Sequence, residues 1–290
     1  MLTELRAVCA EVAARARHVQ INEEAIGPHA ESLPEPPPFD ATALTTDREQ
    51  QAAFWLTLNA INFGSGWFPT IRKRPGRSGY HTIAAGLQDH GPFTAAELRT
   101  ITPAKIADVL GQDPTHELMA LFAGSLNDLG RHIEPTSFLA IIPDSAVDLA
   151  TTLSTWDCFK DTSTYDELEI PFLKRAQLAA ADLHRAGVRD FADLSSLTMF
   201  ADNLVPHVLR LDGILRFDPD LTARIDRRQL IEHGSLEEVE IRACALHAVE
   251  LIVAGRPGTC AAEIDQLLWN RGGEPRYKAT PRHRSRCTAY

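Results

Sequence analysis

Apolar residues recur at three- and four-residue spacing through most of the chain, the period of helices that turn one face inward. Leu5, Val8, Cys9, Val12 and Ala13 open the series. A second short helix is predicted over about 22–32, and a longer one, with Asp47 as its N-cap, runs to about Phe63. Helices follow at about 80–90, 94–100, 103–110, 116–132 and 145–155. Pro171 suits the first position of a helix reaching Arg185. Four more are predicted at about 203–215, 218–228, 236–255 and 260–269. Only Tyr165–Ile170 reads as a strand. Gly64, Gly66, Pro69, Pro75, Gly76 and Gly79 make 64–80 a turn-rich stretch with a small hairpin around Arg72–Arg77. Pro34–Pro38 reads as a stiff extended linker, too short to separate domains. The expected class is all-α with a minor β element, in a single compact domain over 1–290. Gly187, then a short helix over Phe191–Leu197, gives the pattern of a helix–hairpin–helix unit.

Composition narrows the class. A chain of 290 residues with 44% apolar and 23% charged residues can bury a substantial core. No apolar run has the length of a membrane span. Glu4 and Glu11 interrupt the first helix with charge, unlike a signal or transit peptide, so a cytoplasmic location is expected. The five cysteines are widely separated, and none of the 11 histidines has metal-ligand spacing. Reduced, mostly buried thiols are expected, with neither metal nor cofactor.

Charge adds one asymmetry. The chain carries a net −10, yet from Arg271 onward six Lys and Arg oppose only Glu274. Positive charge confined to the end of an acidic chain suits one small anion, phosphate first, better than a nucleic-acid face. A solvated tail is the alternative reading.

Four segments carry candidate chemistry. In Leu197–Pro206, Phe200 and Asp202 would share one side if extended. An aromatic face beside a carboxylate suits a flat heterocycle with N–H groups on its edge. Alternatively Asp202 or Asn203 is an N-cap and Phe200 a core residue. Asp265 and Trp269 share a helix face, an acid beside an indole, unless Asp265 is simply exposed. Lys174 and Arg175 lie in the first turn of a helix, where the dipole disfavours cations unless an anion is near. A surface lysine is the alternative reading of Lys174. Asn62, Phe63, Trp67 and Phe68 bracket a Gly-rich turn that could line a pocket or plug a core corner.

Taken in order, these segments resemble the queuosine salvage protein family, the queuosine 5′-phosphate N-glycosylases. The matching stretches are Asn62-Phe63, Pro171–Gln177, Leu197–Asp202 with Pro206, Glu238–Arg242, Leu268-Trp269, and Pro281–Cys287 with Tyr290. The resemblance implies a mainly helical fold similar to helix–hairpin–helix DNA glycosylases. It implies hydrolysis of queuosine 5′-monophosphate to queuine and ribose 5-phosphate. It makes Phe200 and Asp202 the base-recognition pair and Asp265 the nucleophile or transition-state stabiliser. Gln266, Trp269, Asn270, Asn62, Phe63 and Lys174 fall at substrate-contacting positions. Lys174, Tyr277, Lys278, His283, Arg284 and Arg286 are the phosphate candidates. A histidine of the family's N-terminal quarter has no clear match in Phe39–Leu44, and His18 and His29 are candidates by type alone. Two competing readings are a glycosylase of damaged DNA or RNA and a non-catalytic queuine carrier.

Overall fold

The computed structural model describes residues 1–36, 47–134 and 136–290. Residues 39–44, where the family histidine was sought, and the last two prolines of the 34–38 segment lie outside them. In chain order the elements are α1 (Leu2–Arg15), β1 (Val19–Ile21), α2 (Glu23–Ser32), α3 (Arg48–Ala60), α4 (Gly79–His90), α5 (Ala95–Thr100), α6 (Pro103–Leu110), α7 (Glu117–Ile133) and α8 (Ala146–Ser154). Then come β2 (Thr162–Tyr165), β3 (Leu168–Pro171), α9 (Lys174–Arg185), α10 (Val205–Leu211), β4 (Leu215–Phe217), α11 (Pro219–Asp226), α12 (Leu236–Ala254), α13 (Ala261–Arg271) and α14 (Pro275–Ala279). Single 3-10 turns lie at Asp157–Phe159 and Leu194–Ser196. The protein is mainly helical, as the periodicity predicts.

The described residues form two compact units. The first holds 1–36, 162–174 and 193–286, and the second holds 47–161, 175–192 and 287–290. The first unit is built on α12, in which every residue from Glu238 to Leu246 is buried, so these turns present no face to solvent. Such a helix must be enclosed. It packs against α1, α2, α10, α13 and strands from both small sheets. Its Glu240 is fully buried and holds the sheet in place. One oxygen accepts the Arg17 N–H at 3.0 Å and the Tyr165 hydroxyl at 2.8 Å, and the other accepts the His18 and Val19 N–H groups.

In the second unit α7 packs against α3, α5, α6 and the Asp157–Phe159 turn. Gly130 is what lets α5 approach α7: a Cβ there would stand 2.3 Å from the Arg99 amide nitrogen. Asp47 caps α3, its Oδ1 accepting from the Glu49 and Gln50 amides at 2.9 and 3.3 Å. Such a cap stabilises a helix by about 1 kcal/mol.

Several expectations are corrected. The predicted strand at Tyr165–Ile170 is a hairpin, β2 pairing antiparallel with β3 around Asp166, which has φ 49°. Pro171 therefore ends β3, and the helix starts three residues later at Lys174. A second sheet, β1 with β4, was not foreseen; the helix predicted over 203–215 ends at Leu211, and β4 begins at Leu215. No strand forms around Arg72–Arg77, where Arg77 N–H simply turns back to the Arg74 carbonyl. The second helix of the supposed helix–hairpin–helix unit is the single 3-10 turn Leu194–Ser196. The thiols behave as expected: all five cysteines are free, and only Cys260 is not buried.

Candidate active site

The segment 197–204 is neither helix nor strand, so its shape must come from outside its own backbone pairing. Consecutive residues are held one after another. The Phe200 N–H donates to Asp265 Oδ1 at 3.0 Å, from α13. The Ala201 carbonyl accepts from Arg242 Nε at 2.9 Å, from α12. Asp202 Oδ1 accepts the N–H groups of Leu204 and Val205 at 2.7 and 3.3 Å, fixing the start of α10. Asn203 donates through Nδ2 to the His283 carbonyl at 3.0 Å. Phe200 is buried, Asp202 is half-buried, and Asp265 is 5% exposed.

Asp202 is not the N-cap of α10, which is Leu204; it braces the turn before the helix, and only through Oδ1. Its Oδ2 makes no hydrogen bond among the described residues. Asp202 also lies within electrostatic reach of Arg282, where burial depresses the guanidinium's pKa and Asp202 opposes that shift.

Around these three the other predicted residues divide. On α13, Leu267 and Leu268 are buried while Trp269 is half-buried. Gln266 Nε2 donates to Asn270 Oδ1 at 2.9 Å, an exposed i, i+4 pair. Lys174 is the buried first residue of α9. Asn62 and Phe63 belong to the second unit. There Phe63 meets Phe122 edge to face at 5.0 Å and lies under the Arg175 guanidinium, a core position. Trp67 is buried too and donates to Glu117 at 2.8 Å, so that corner is plugged.

The basic tail is not a solvated run. From His283 to Ala289 burial alternates with period two: His283, Ser285, Cys287 and Ala289 are buried, and Arg284, Arg286 and Thr288 are less so. The Arg284 carbonyl accepts the Ile231 N–H at 2.9 Å, and the Pro281 carbonyl accepts from Arg210. His283, one of the phosphate candidates, is 2% exposed. It points to the opposite side of the extended segment from the arginines, and burial drives its pKa down to about 3, with Glu238 pulling the other way. A neutral imidazole supplies no charge to a phosphate. Tyr277 is buried, and its hydroxyl donates to Asp212 at 2.7 Å while accepting from Arg271 at 2.7 Å. Lys278 and Arg286 are exposed and Arg284 is half-buried. Of the histidines considered by type, His18 pairs with Asp218 at 2.7 Å, and His29 is buried with its pKa lowered by desolvation.

The family described as queuosine salvage protein matches residues 42–290. The chain belongs to the queuosine salvage protein family. It is 33% identical to a queuosine 5′-phosphate N-glycosylase/hydrolase of Sphaerobacter thermophilus, over 96% of this chain and 95% of that one. A protein of the same name from Dictyostelium discoideum is 29% identical over 100% of this chain and 99% of its own length. One from Bos taurus is 30% identical over 73% and 72%. The braced segment, α12, α13 and the tail all lie inside the part matched to the queuosine salvage family.

Reading the sequence missed Arg242, Glu238 and Asn203 as structural partners of the segment. A signal was present. Glu240 lies on the opposite side of α12 from Glu238 and Arg242, so no single solvent face can take all three, and those turned inward need buried partners.

Proposed function

We propose that the protein hydrolyses the N-glycosidic bond of queuosine 5′-monophosphate, releasing queuine and ribose 5-phosphate. The observation that carries the residue assignment is the braced Phe200–Asn203 segment, with a buried carboxylate, Asp265, hydrogen-bonded to the very residue whose ring would stack on the base. Family membership and the activity in the names of full-length relatives support the reaction class.

Queuine is a 7-deazaguanine, so the leaving base has no N7 to protonate. Catalysis must then rest on stabilising an oxocarbenium-like sugar and on gripping the departing base. Phe200 stacks on the deazapurine. Asp202 offers Oδ2 to the 2-amino and ring N–H edge, since its Oδ1 is committed to Leu204 and Val205. Asp265 lies below C1′ as nucleophile or electrostatic stabiliser. Its Oδ1 is oriented by the Phe200 amide, which keeps the carboxylate from turning during the reaction. Trp269, one turn along α13, walls the sugar side, and Gln266 and Asn270 extend the substrate contacts along that helix. Asn62 and Phe63 stay in the assignment through the family resemblance alone. The phosphate is assigned to Lys174, Lys278, Arg284 and Arg286 through their charge, and to Tyr277 and His283 as hydrogen-bonding candidates, Tyr277 being hydrogen-bonded to Asp212 and Arg271 and His283 being buried. Holding the phosphate far from the bond that breaks fixes C1′ against Asp265.

A free nucleotide as substrate, no nucleic-acid partner, a cytoplasmic location and action without cofactor belong to the same reading. A net charge of −10 supports the first two. No helix among the described residues is long and apolar enough to cross a membrane. A single domain over 1–290 is supported by the chain's repeated passage from one unit to the other. Kinship with helix–hairpin–helix DNA glycosylases belongs to the same reading, and α9 followed by the Gly187 turn, φ +69°, supports it.

The experiment is a comparison of queuosine 5′-monophosphate with queuosine. Chromatography should show queuine released from the nucleotide at much higher kcat/KM. Equal values for both would remove the phosphate contacts from the proposal.

A further inference from the structure

Glu238 and Arg242 are one turn apart on α12, and both are fully buried. Burying a charge is costly unless it is paired and hydrogen-bonded, so each needs an account. Glu240, between them, has one: it serves β1 and Tyr165. Glu238 and Arg242 face elsewhere. Arg242 Nη1 stands 3.7 Å from Glu238 Oε1. The guanidinium carbon lies 3.9 Å from the centre of the Phe172 ring, stacked on its face. Nε then projects edge-on to the Ala201 carbonyl at 2.9 Å. Glu238 is held in turn by the Gly234 N–H at 3.0 Å and by His233, 3.4 Å away. Burial pushes the Glu238 pKa up, but His233 and Arg242 outweigh it and hold the carboxyl at about 2.

The Ala201 carbonyl belongs to the peptide that enters Asp202. With the Phe200 amide fixed by Asp265, fixing that carbonyl leaves the 200–202 backbone little freedom to rotate. A planar guanidinium clamped between a ring and a carboxylate is suited to this; a lysine ammonium has neither the plane nor the fixed Nε direction.

We infer that Arg242 is a positioning residue: backed by Glu238 and Phe172, it sets the Ala201–Asp202 peptide and with it the angle at which Phe200 and Asp202 meet the base. This rests on the proposed role of Phe200 and Asp202 in base recognition.

The test measures kcat and KM for queuosine 5′-monophosphate, with melting temperature, in Arg242→Gln, Arg242→Lys and Phe172→Leu. Val249→Ala, a fully buried change elsewhere on α12, is the control for simple destabilisation. Arg242→Gln should lose roughly 10²-fold in kcat per folded molecule, the scale of a small misplacement at a reacting centre. Arg242→Lys should regain part of it, and Phe172→Leu should lose less than Arg242→Gln. Val249→Ala should keep wild-type kcat at a comparable loss of melting temperature. Should Arg242→Gln not fold, Phe172→Leu and Arg242→Lys decide alone. Wild-type kcat in both, or losses no greater than in Val249→Ala, overturns the inference. Failure of the wild-type protein to release queuine would instead overturn the proposed function.

Discussion

Two buried arginines, one in each unit, solve the same problem in different ways. Arg175, in the second unit, directs its hydrogen bonds to main-chain carbonyls: Nη1 to Ala60 at 2.6 Å and to Cys158, and Nε to Ala289 at 3.2 Å. The rings of Phe63 and Phe159 flank it at 5.1 and 5.7 Å. Burial lowers its pKa to about 10, against the pull of Cys158, Asp161 and Cys287. Arg242, in the first unit, is set beside the carboxylate of Glu238 and hydrogen-bonds the Ala201 carbonyl, in the segment carrying Phe200 and Asp202. Arg175 joins the end of α3, a 3-10 turn and the last residues of the chain. Arg242 fixes the peptide that enters Asp202. The first arrangement puts a buried cation to architectural use, and the second orients a site with one.

The sharpest way to break that contrast is Arg175→Met. It leaves the Ala60, Cys158 and Ala289 carbonyls without this donor in a buried setting, at about 1–3 kcal/mol each. A loss of about 3 kcal/mol or more is expected in urea unfolding. A loss under about 1 kcal/mol would show that the carbonyls find other donors and that Arg175 is not the joint described.

Asp265→Asn comes next. Asparagine can still accept from the Phe200 amide, so the segment should stay in place and the protein should fold. Turnover should fall by roughly 10²-fold or more through loss of the charge facing the sugar. Asp202→Asn retains the α10 contacts through its carbonyl oxygen and should raise KM more than Asp265→Asn does. Near-normal turnover in Asp265→Asn would remove it from the catalytic role.

A pH dependence carried by charges of the first unit sharpens the comparison further. His283 has a folded pKa of about 3 against an ordinary 6.5. The unfolded chain therefore takes up a proton that the native state refuses, and stability falls as pH drops from about 6.5 toward 3. Glu238 acts lower down. Its folded pKa of about 2 lies below the ordinary 4.5, so its contribution is complete above about 4.5 and is lost as pH falls toward 2. Melting temperature followed across pH should decline through both windows. His283→Gln should reduce the upper slope, leaving the share of His207, whose pKa burial lowers to about 4, and Glu238→Gln should reduce the lower one; unchanged slopes would contradict these assignments.

The helices were legible because their apolar spacing and caps are local signals; Asp47 and the α3 it begins are an example. The strands were not. β1 and β4 have three residues each and pair Val19 with Phe217 across nearly two hundred positions. The β2–β3 hairpin turns at Asp166-Glu167, which lacks the Asn-Gly or Asp-Gly signature of a two-residue hairpin loop. The tail misled for another reason. Its arginines read as a charge run, while His283, Ser285, Cys287 and Ala289 held the alternation of an extended, half-buried segment. Phe200, Asp202 and Asp265 were singled out by residue type and by family resemblance, and the structure adds the hydrogen bond from the Phe200 amide to Asp265. Arg242 was in the same resemblance, but its role depends on a contact to residue 201 that no local spacing encodes.

The most direct test is to incubate the purified, folded protein with queuosine 5′-monophosphate and follow queuine and ribose 5-phosphate by chromatography. The account predicts equal molar release of both products by the wild-type protein, and release reduced by roughly 10²-fold or more in Asp265→Asn. Intact nucleotide after prolonged incubation with folded wild-type protein would contradict it.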